Sequence, residues 1–199
     1  MSSRFDNRSV STFKKDIYFS TKLEKYFFNK WLEICESTDT IKVDNPRDNG
    51  VGNDGRFIAK GNTAGADYMV DIKCDSFLEK DHPIEIKWVP TAGKFTLKEN
   101  DLKAYIRERA SILFIFNSVR CGTDMRKPKD HNFEKHVKLI ESKRDQIKWG
   151  IMWFPEVEEF YKHAKDNELF RPINYMGGKQ GIVLKDNDFD EWFKVREWV

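Results

Sequence analysis

The sequence lacks the features that mark several large protein classes. Its 199 residues hold three cysteines, Cys35, Cys74 and Cys121, with no Cys-x-x-Cys spacing, so neither a disulfide framework nor a zinc knuckle is indicated. The four histidines, His82, His131, His136 and His163, are scattered, and no His-Glu-x-x-His occurs. No apolar run approaches the ~18 residues that a membrane-spanning helix requires, and the polar residues 1–11 lack the apolar centre of a secretory signal. No glycine turn leads into Gly-Lys-Ser/Thr, so a phosphate-binding P-loop is missing too. Excess charge of either sign is also absent, with 35 Lys and Arg against 33 Asp and Glu. Affinity for a polyanion must therefore come from local patches and not from the overall field. The expectation is a soluble cytoplasmic protein with no membrane segment.

What is present is a pair of strand patterns that carry charge on apolar ground. In residues 68–74 (Tyr-Met-Val-Asp-Ile-Lys-Cys) and 83–89 (Pro-Ile-Glu-Ile-Lys-Trp-Val), β-branched and aromatic residues alternate with others at a period of two. The charged residues 75–82 between them read as an exposed hairpin loop. Glu85 and Lys87 are two apart, so both leave one face of their strand while Ile84, Ile86 and Trp88 leave the other. Asp67 stands where the first strand begins, after the turn-prone Gly61-Asn62-Thr63-Ala64-Gly65, so hairpin pairing brings its carboxylate beside Glu85. Two hard oxygen ligands with open positions suit Mg²⁺ or Mn²⁺. The same residues also fit a cross-strand salt bridge on a solvated sheet face. A second register stands beside the first: with a strand over residues 55–59, Asp54 becomes the upstream acid and Asp71-Ile72-Lys73 the triplet.

Around this centre the chain reads as alternating helices and strands. Leu23, Phe27, Trp31 and Ile34 recur at helical spacing over residues 21–36, and Glu24 shares a stripe with aromatics as either a site acid or a snorkelled edge residue. Residues 37–65 are loop-dominated, with short strand candidates at 40–43 and 56–59 and the cations Arg47, Arg56 and Lys60. Thr96 and Glu99 have capping-box spacing, which starts a helix near Leu97 with Leu102, Tyr105 and Ile106 inward and Lys98, Lys103, Arg107 and Arg109 as its cations. Residues 111–116 form a buried central strand. A helix at 132–145, a strand at 147–154, a helix at 155–167 with Pro155 in its first turn, a strand at 181–185 and a helix at 188–198 complete the pattern. That last helix carries Phe189, Trp192, Phe193 and Val195 toward the body or toward a second copy of the chain. Arg120, Arg126, Lys127 and Lys129 make the loop at 121–130 the densest cationic stretch.

The order of acid-bearing helix, Gly65-x-Asp67, Ile84-Glu85-Ile86-Lys87, Gly93, helix and apolar strand resembles the PD-(D/E)xK nuclease superfamily, nearest to its virus-type replication-repair nucleases and Holliday-junction resolvases. The likeness covers residues 21–117. Ala66 stands where that pattern often has proline, and Asn100 or Asp101 stands where its helix often offers glutamine. The resemblance implies a divalent ion held by Asp67, Glu85 and the Ile86 carbonyl, with Glu24 able to complete the set. It also implies that Lys98 and Lys103 meet the DNA backbone. Arg107 of the same helix and Arg126, Lys127 and Lys129 of the cationic loop are expected as further DNA contacts on their charge alone.

The expected fold is one α/β domain over residues 1–199: a mixed central sheet flanked by helices, with a restriction-endonuclease-like αβββαβ core (21–117) and a C-terminal α/β extension (118–199). A doubly wound nucleotide-binding sheet would need the glycine-rich first turn that is missing here. The expected function is a metal-dependent DNA endonuclease, with Asp67, Glu85 and Lys87 as catalytic residues and 5′-phosphate and 3′-hydroxyl products implied by the resemblance. Homodimer formation is a further expectation. The competing reading is a non-catalytic nucleic-acid- or protein-binding module on the same fold.

Overall fold

Phe19, Leu23, Phe27, Phe28, Trp31, Ile34 and Cys35 follow one another at spacings of one to four residues, and all are buried along one stripe of helix α1 (Val10–Glu36). The computed structural model describes residues 10–38, 40–49, 66–74, 77–90, 94–119, 124–174, 178–185, 191–193 and 196–197. The alternative strand at 55–59, the turn at 61–65, Gly93, Arg120 and Cys121 lie outside these residues. After α1 come β1 (Ile41–Asp48), β2 (Tyr68–Cys74), β3 (Phe77–Val89), β4 (Lys94–Lys98), α2 (Glu99–Glu108) and β5 (Ser111–Asn117). Then follow α3 (Phe133–Glu141), a 3-10 turn (Arg144–Gln146), β6 (Ile147–Met152), α4 (Phe154–Asp166), β7 (Arg171–Ile173), β8 (Lys179–Lys185) and β9 (Arg196–Glu197).

The main sheet is mixed, as expected, in the order β1-β2-β3-β5-β6-β9, and only the β3–β5 pair is parallel. Alternation along β5 divides the interior in two. Leu113 and Ile115 pack with α1, α3 and Trp149, whereas Ile112 and Phe114 pack with α2, α4 and β8. Five of the seven β5 residues have no measurable exposure, which is what a strand covered on both faces requires. Among the described residues no helix is long and apolar enough to cross a membrane.

Five sequence expectations are corrected. Of the exposed loop expected at 75–82, residues 77–82 are strand: β3 starts at Phe77 and pairs with β2 from Cys74↔Phe77 onward, and His82 is buried. Its charged residues disguise a bulge between Val70 and Ile72, where Asp81 adopts a positive φ of 54° and its N–H bonds Asp71 Oδ1 at 3.0 Å. The helix expected from Leu97 starts at Glu99, because residues 94–98 pair with β8 and bury Leu97 against Ile182. Lys98 at the cap position makes no side-chain capping bond. Gly181 permits this pairing, since a Cβ there would lie 2.8 Å from the Leu97 carbonyl oxygen. The helix expected at 132–145 stops at Glu141 and the strand at 147–154 stops at Met152. Finally, only Glu191 and Trp192 of the expected last helix are helical among the described residues, and the chain returns as β9 along the free edge of β6. Phe193 packs on Phe114 and Trp192 on Phe160, so both serve the chain's own core. Phe189 and Val195 lie outside the described residues.

Trp31, fully buried and edge-on to Trp149, joins α1 to the sheet. Trp31→Ala is expected to lower the unfolding free energy by about 3–5 kcal/mol in urea denaturation, the range for deleting a buried large aromatic. A loss below about 1 kcal/mol would contradict this packing.

Candidate active site

Asp67 is fixed through its backbone before its side chain is considered. Asn49 N–H bonds the Asp67 carbonyl at 3.1 Å, Asn49 Nδ2 bonds the Ala66 carbonyl at 3.0 Å, and Ala66 N–H bonds Glu108 Oε2 at 2.9 Å. The β2–β3 register places Tyr68 opposite Ile84, and one further step sets Asp67 opposite Glu85. β2 ends there, and the next β3 donor, Ile86 N–H, bonds Asp67 Oδ2 at 2.8 Å. A side chain thus replaces a missing strand as hydrogen-bond partner.

Glu85 and Lys87 leave the α2 face of β3, as the period of two anticipates. Glu85 Oε1 accepts from Lys87 Nζ and, at 2.8 Å, from the Tyr105 hydroxyl. Glu85 Oε2 is buried and has no hydrogen-bond partner. Because Glu85 is only 5% exposed, the pair is not a salt bridge on a solvated face. Burial opposes the Lys87 charge, but Glu85, Tyr105 and Asp67 outweigh it and hold the ammonium well above its ordinary pKa. Tyr105, whose hydroxyl burial pushes far up, serves as a donor.

Glu24 arrives from α1. Phe27 packs on Trp88 with ring centroids 4.5 Å apart, and Phe28 stacks on Tyr68 at 3.8 Å. These two rings neighbour Lys87 and Asp67 in sequence, and Glu24 lies one turn before both phenylalanines. Its carboxyl is pushed up by burial and by Glu85 and is partly relieved by Lys87. Asp67 is pushed from 3.8 to about 8 by burial, then by Glu85 and Glu24, against the opposing Lys87 and Ile86 N–H. Three carboxyls therefore share one lysine, and Asp67 holds a proton at neutral pH. Among the described residues no three His, Cys, Asp or Glu side chains already close into a metal-holding group.

Of the competing register, Asp54 and residues 55–59 lie outside the described residues, and only its triplet can be placed. Asp71 is committed to the bulge, accepting from Asp81 N–H and from Asn45 Nδ2 at 2.6 Å, while Lys73 is exposed. The expected DNA contacts fall into two groups, and most are held by acids. At the cap of α2 Lys98 pairs with Asp101 at 3.1 Å, and on the helix Lys103 pairs with Glu99 at 3.0 Å and Arg107 with Glu108 at 3.5 Å. On the loop, Arg126 pairs with Asp124 at 2.7 Å and Lys127 with Asp16, while Lys129 is exposed.

Sequence reasoning assigns Tyr105 to the core and misses its hydroxyl at Glu85; the signal is one hydroxyl inside the apolar stripe of Leu102 and Ile106. It also misses the chain Glu79–His82–Ser111, with Glu79 Oε2 3.0 Å from His82 Nδ1 and Ser111 Oγ 2.7 Å from Nε2. This order of groups resembles an acyl-transfer triad, yet Ser111 is fully buried and its oxygen accepts the Phe154 N–H at 3.0 Å. It ties β3, β5 and α4 together and offers no accessible nucleophile. Comparison with protein-family models, with curated proteins and with solved structures finds no match.

The raised Asp67 carboxyl has a stability consequence of definite sign. A folded pKa above the unfolded one contributes stability below about pH 4 that is lost as pH rises through about 8. In chelator, Asp67→Asn is expected to melt progressively higher than the parent protein from pH 5 to 9, by about 2–4 °C for each kcal/mol relieved. Parallel melting curves across that range would contradict the crowding.

Proposed function

We propose that the chain is a divalent-metal-dependent DNA nuclease, acting as an endonuclease, with the cluster of Asp67, Glu85, Lys87 and Glu24 as its active centre. The observation that carries this reading is the convergence of three carboxyls from α1, β2 and β3 on one lysine, with a buried Glu85 oxygen left unpaired. The donor set fits Mg²⁺ or Mn²⁺: Asp67, Glu85, the Ile86 carbonyl and Glu24 are all hard oxygens. When bound, the ion would supply Lewis-acid polarisation of the phosphate and ease formation of a hydroxide nucleophile near neutral pH.

The remaining work belongs to the chain. Tyr105 anchors Glu85 through Oε1, which leaves Oε2 as the presenting oxygen. Asp67 would have to be ionised to hold such an ion. Lys87 then orients the attacking water and stabilises charge developing on the phosphoryl oxygens. The water adds to phosphorus, the P–O3′ bond breaks and the leaving oxygen takes a proton, giving the 5′-phosphate and 3′-hydroxyl ends that the resemblance to PD-(D/E)xK nucleases implies. Lys98 at the cap of α2, and Lys103 and Arg107 on that helix, stand near Tyr105, where exchanging their acid partners for phosphates would bring DNA beside the centre. Cys35 and Cys74 stand as thiols, which suits the reducing cytoplasm.

The Lys87–Glu85 contact also favours a second reading, a binding module in which that pair is only structural. The two separate on one panel: supercoiled, linear, single-stranded and branched DNA, with and without Mg²⁺. The nuclease reading expects Mg²⁺-dependent cleavage of at least one substrate, rising from pH 6 toward pH 8 as the acids ionise. Lys87→Ala should slow it at least about 100-fold while retaining metal affinity, Glu85→Ala should lose both, and Lys73→Ala should cut normally. Cleavage unaffected by Lys87→Ala, or absent on every substrate, would overturn the assignment.

A further inference from the structure

A cleft of about 570 Å³ lies between the loop at 124–129 and α3, on ground that the candidate active centre does not use. Arg126, Lys127, Lys129 and Lys135 line it, against the single carboxylate of Asp124. With Arg126 paired to Asp124 and Lys127 to Asp16, Lys129 and Lys135 leave two positive charges on a concave surface, where a field is focused and not dispersed. Two of the cations are already set in place. Arg126 grips Asp124 through Nε and Nη2, and holds its carboxyl down at about 2. Lys127 is tied to Asp16, a buried carboxylate of α1 that also lies 2.6 Å from His131 Nε2. Lys129 and Lys135 are exposed and enter no ion pair among the described residues.

The wall of this cleft includes a residue that its own packing does not explain. His136 on α3 is 2% exposed, packs against Phe19 with ring centroids 5.4 Å apart, and its Nε2 is buried without a hydrogen-bond partner. Burial favours the neutral ring, which donates one N–H and does not compete as a cation. A lone imidazole donor beside exposed lysine heads and a fixed guanidinium is the mixture that phosphate oxygens use. At the size of the cleft, a phosphate enters together with its sugar.

We propose that this cleft is a second phosphate-binding site for a nucleic-acid strand, filled by Arg126, Lys129, Lys135 and the His136 imidazole, and distinct from the cleavage centre. The inference rests on the nuclease reading for its choice of nucleic acid. Asp16 fixes the loop to α1 eight residues before Glu24, about 12 Å along the helix at 1.5 Å per residue. One phosphate cannot occupy both places, so the cleft takes a phosphate other than the scissile one.

The test measures binding and not cleavage. Fluorescence anisotropy of a labelled oligonucleotide, single-stranded and duplex, is followed in EDTA over a salt series for the parent chain, a Lys129→Ala/Lys135→Ala double variant and Lys162→Ala on α4. Lys129 and Lys135 are both exposed, so the double variant is expected to fold. Its affinity is expected to fall several-fold and its log–log salt slope to become shallower by about two, one for each lysine that no longer neutralises a phosphate. Lys162→Ala should leave the slope unchanged. The His136 ring nitrogens, read by ¹⁵N NMR, should shift on adding oligonucleotide to the parent chain and not to the double variant. An unaltered slope in the double variant, an equal change in Lys162→Ala, or a His136 shift with inorganic phosphate but not with oligonucleotide would each overturn the proposal. If cleavage is never observed yet these binding results hold, the active-centre reading fails alone. If cleavage occurs and the double variant binds like the parent, the cleft proposal fails alone.

Discussion

The 2.8 Å hydrogen bond from the Ile86 amide to Asp67 Oδ2 is the contact on which the candidate centre depends. It exists because β3 serves two partners in succession. From Phe77 to Ile84 it runs antiparallel to β2, and from Ile84 to Val89 it runs parallel to β5. Where β2 ends, β3 would present an unpaired donor inside the protein, a costly arrangement. Asp67 fills that position, and its carboxylate is thereby locked beside Glu85. The geometry of the site follows from the way a sheet sheds one strand.

Electrostatics builds on that constraint. One lysine faces Glu85 directly and Asp67 and Glu24 more remotely, so the cluster carries more acid than its own cation can offset. Apolar packing holds the excess in place, with Phe27 on Trp88 and Phe28 on Tyr68 pressing α1 onto the sheet beside the acids. A purely structural ion pair has no need of two additional carboxyls or an orphaned Glu85 oxygen. A divalent cation would relieve all three features together, which is why the proposed centre is a metal site. The same helix holds Lys127 through Asp16, so α1 connects the candidate centre with the cationic cleft.

The parts of this arrangement that are legible in the sequence are those where one periodicity dominates. Alternation at period two locates β2, the back half of β3 and β5, and it puts Glu85 and Lys87 on one face. Helical spacing of aromatics locates α1 from residue 21 onward and puts Glu24 in its aromatic stripe, but misses the turns that begin at Val10. The front half of β3 is hidden because Glu79-Lys80-Asp81-His82 has the composition of a loop, while the bulge at Asp81 lets His82 turn inward to Ser111. β4 is hidden for a different reason: Thr96 and Glu99 have capping-box spacing, but pairing with β8 and burial of Leu97 outweigh a local cap. Tyr105 looks like one more core residue, because a pattern of apolar positions says nothing about where a hydroxyl ends. The Lys127 pairing is also out of reach, since Asp16 and Lys127 are 111 residues apart.

Mn²⁺ titration at neutral pH, followed by electron paramagnetic resonance and by calorimetry in two buffers of different ionisation enthalpy, tests the central claim most directly. The account predicts a single Mn²⁺ site per chain whose filling releases protons, because Asp67 is protonated in the metal-free protein. It predicts that Glu85→Gln and Asp67→Asn lose that site while Lys73→Ala keeps it. Unchanged Mn²⁺ binding in the Glu85→Gln and Asp67→Asn variants, or no binding by the parent chain, would contradict it.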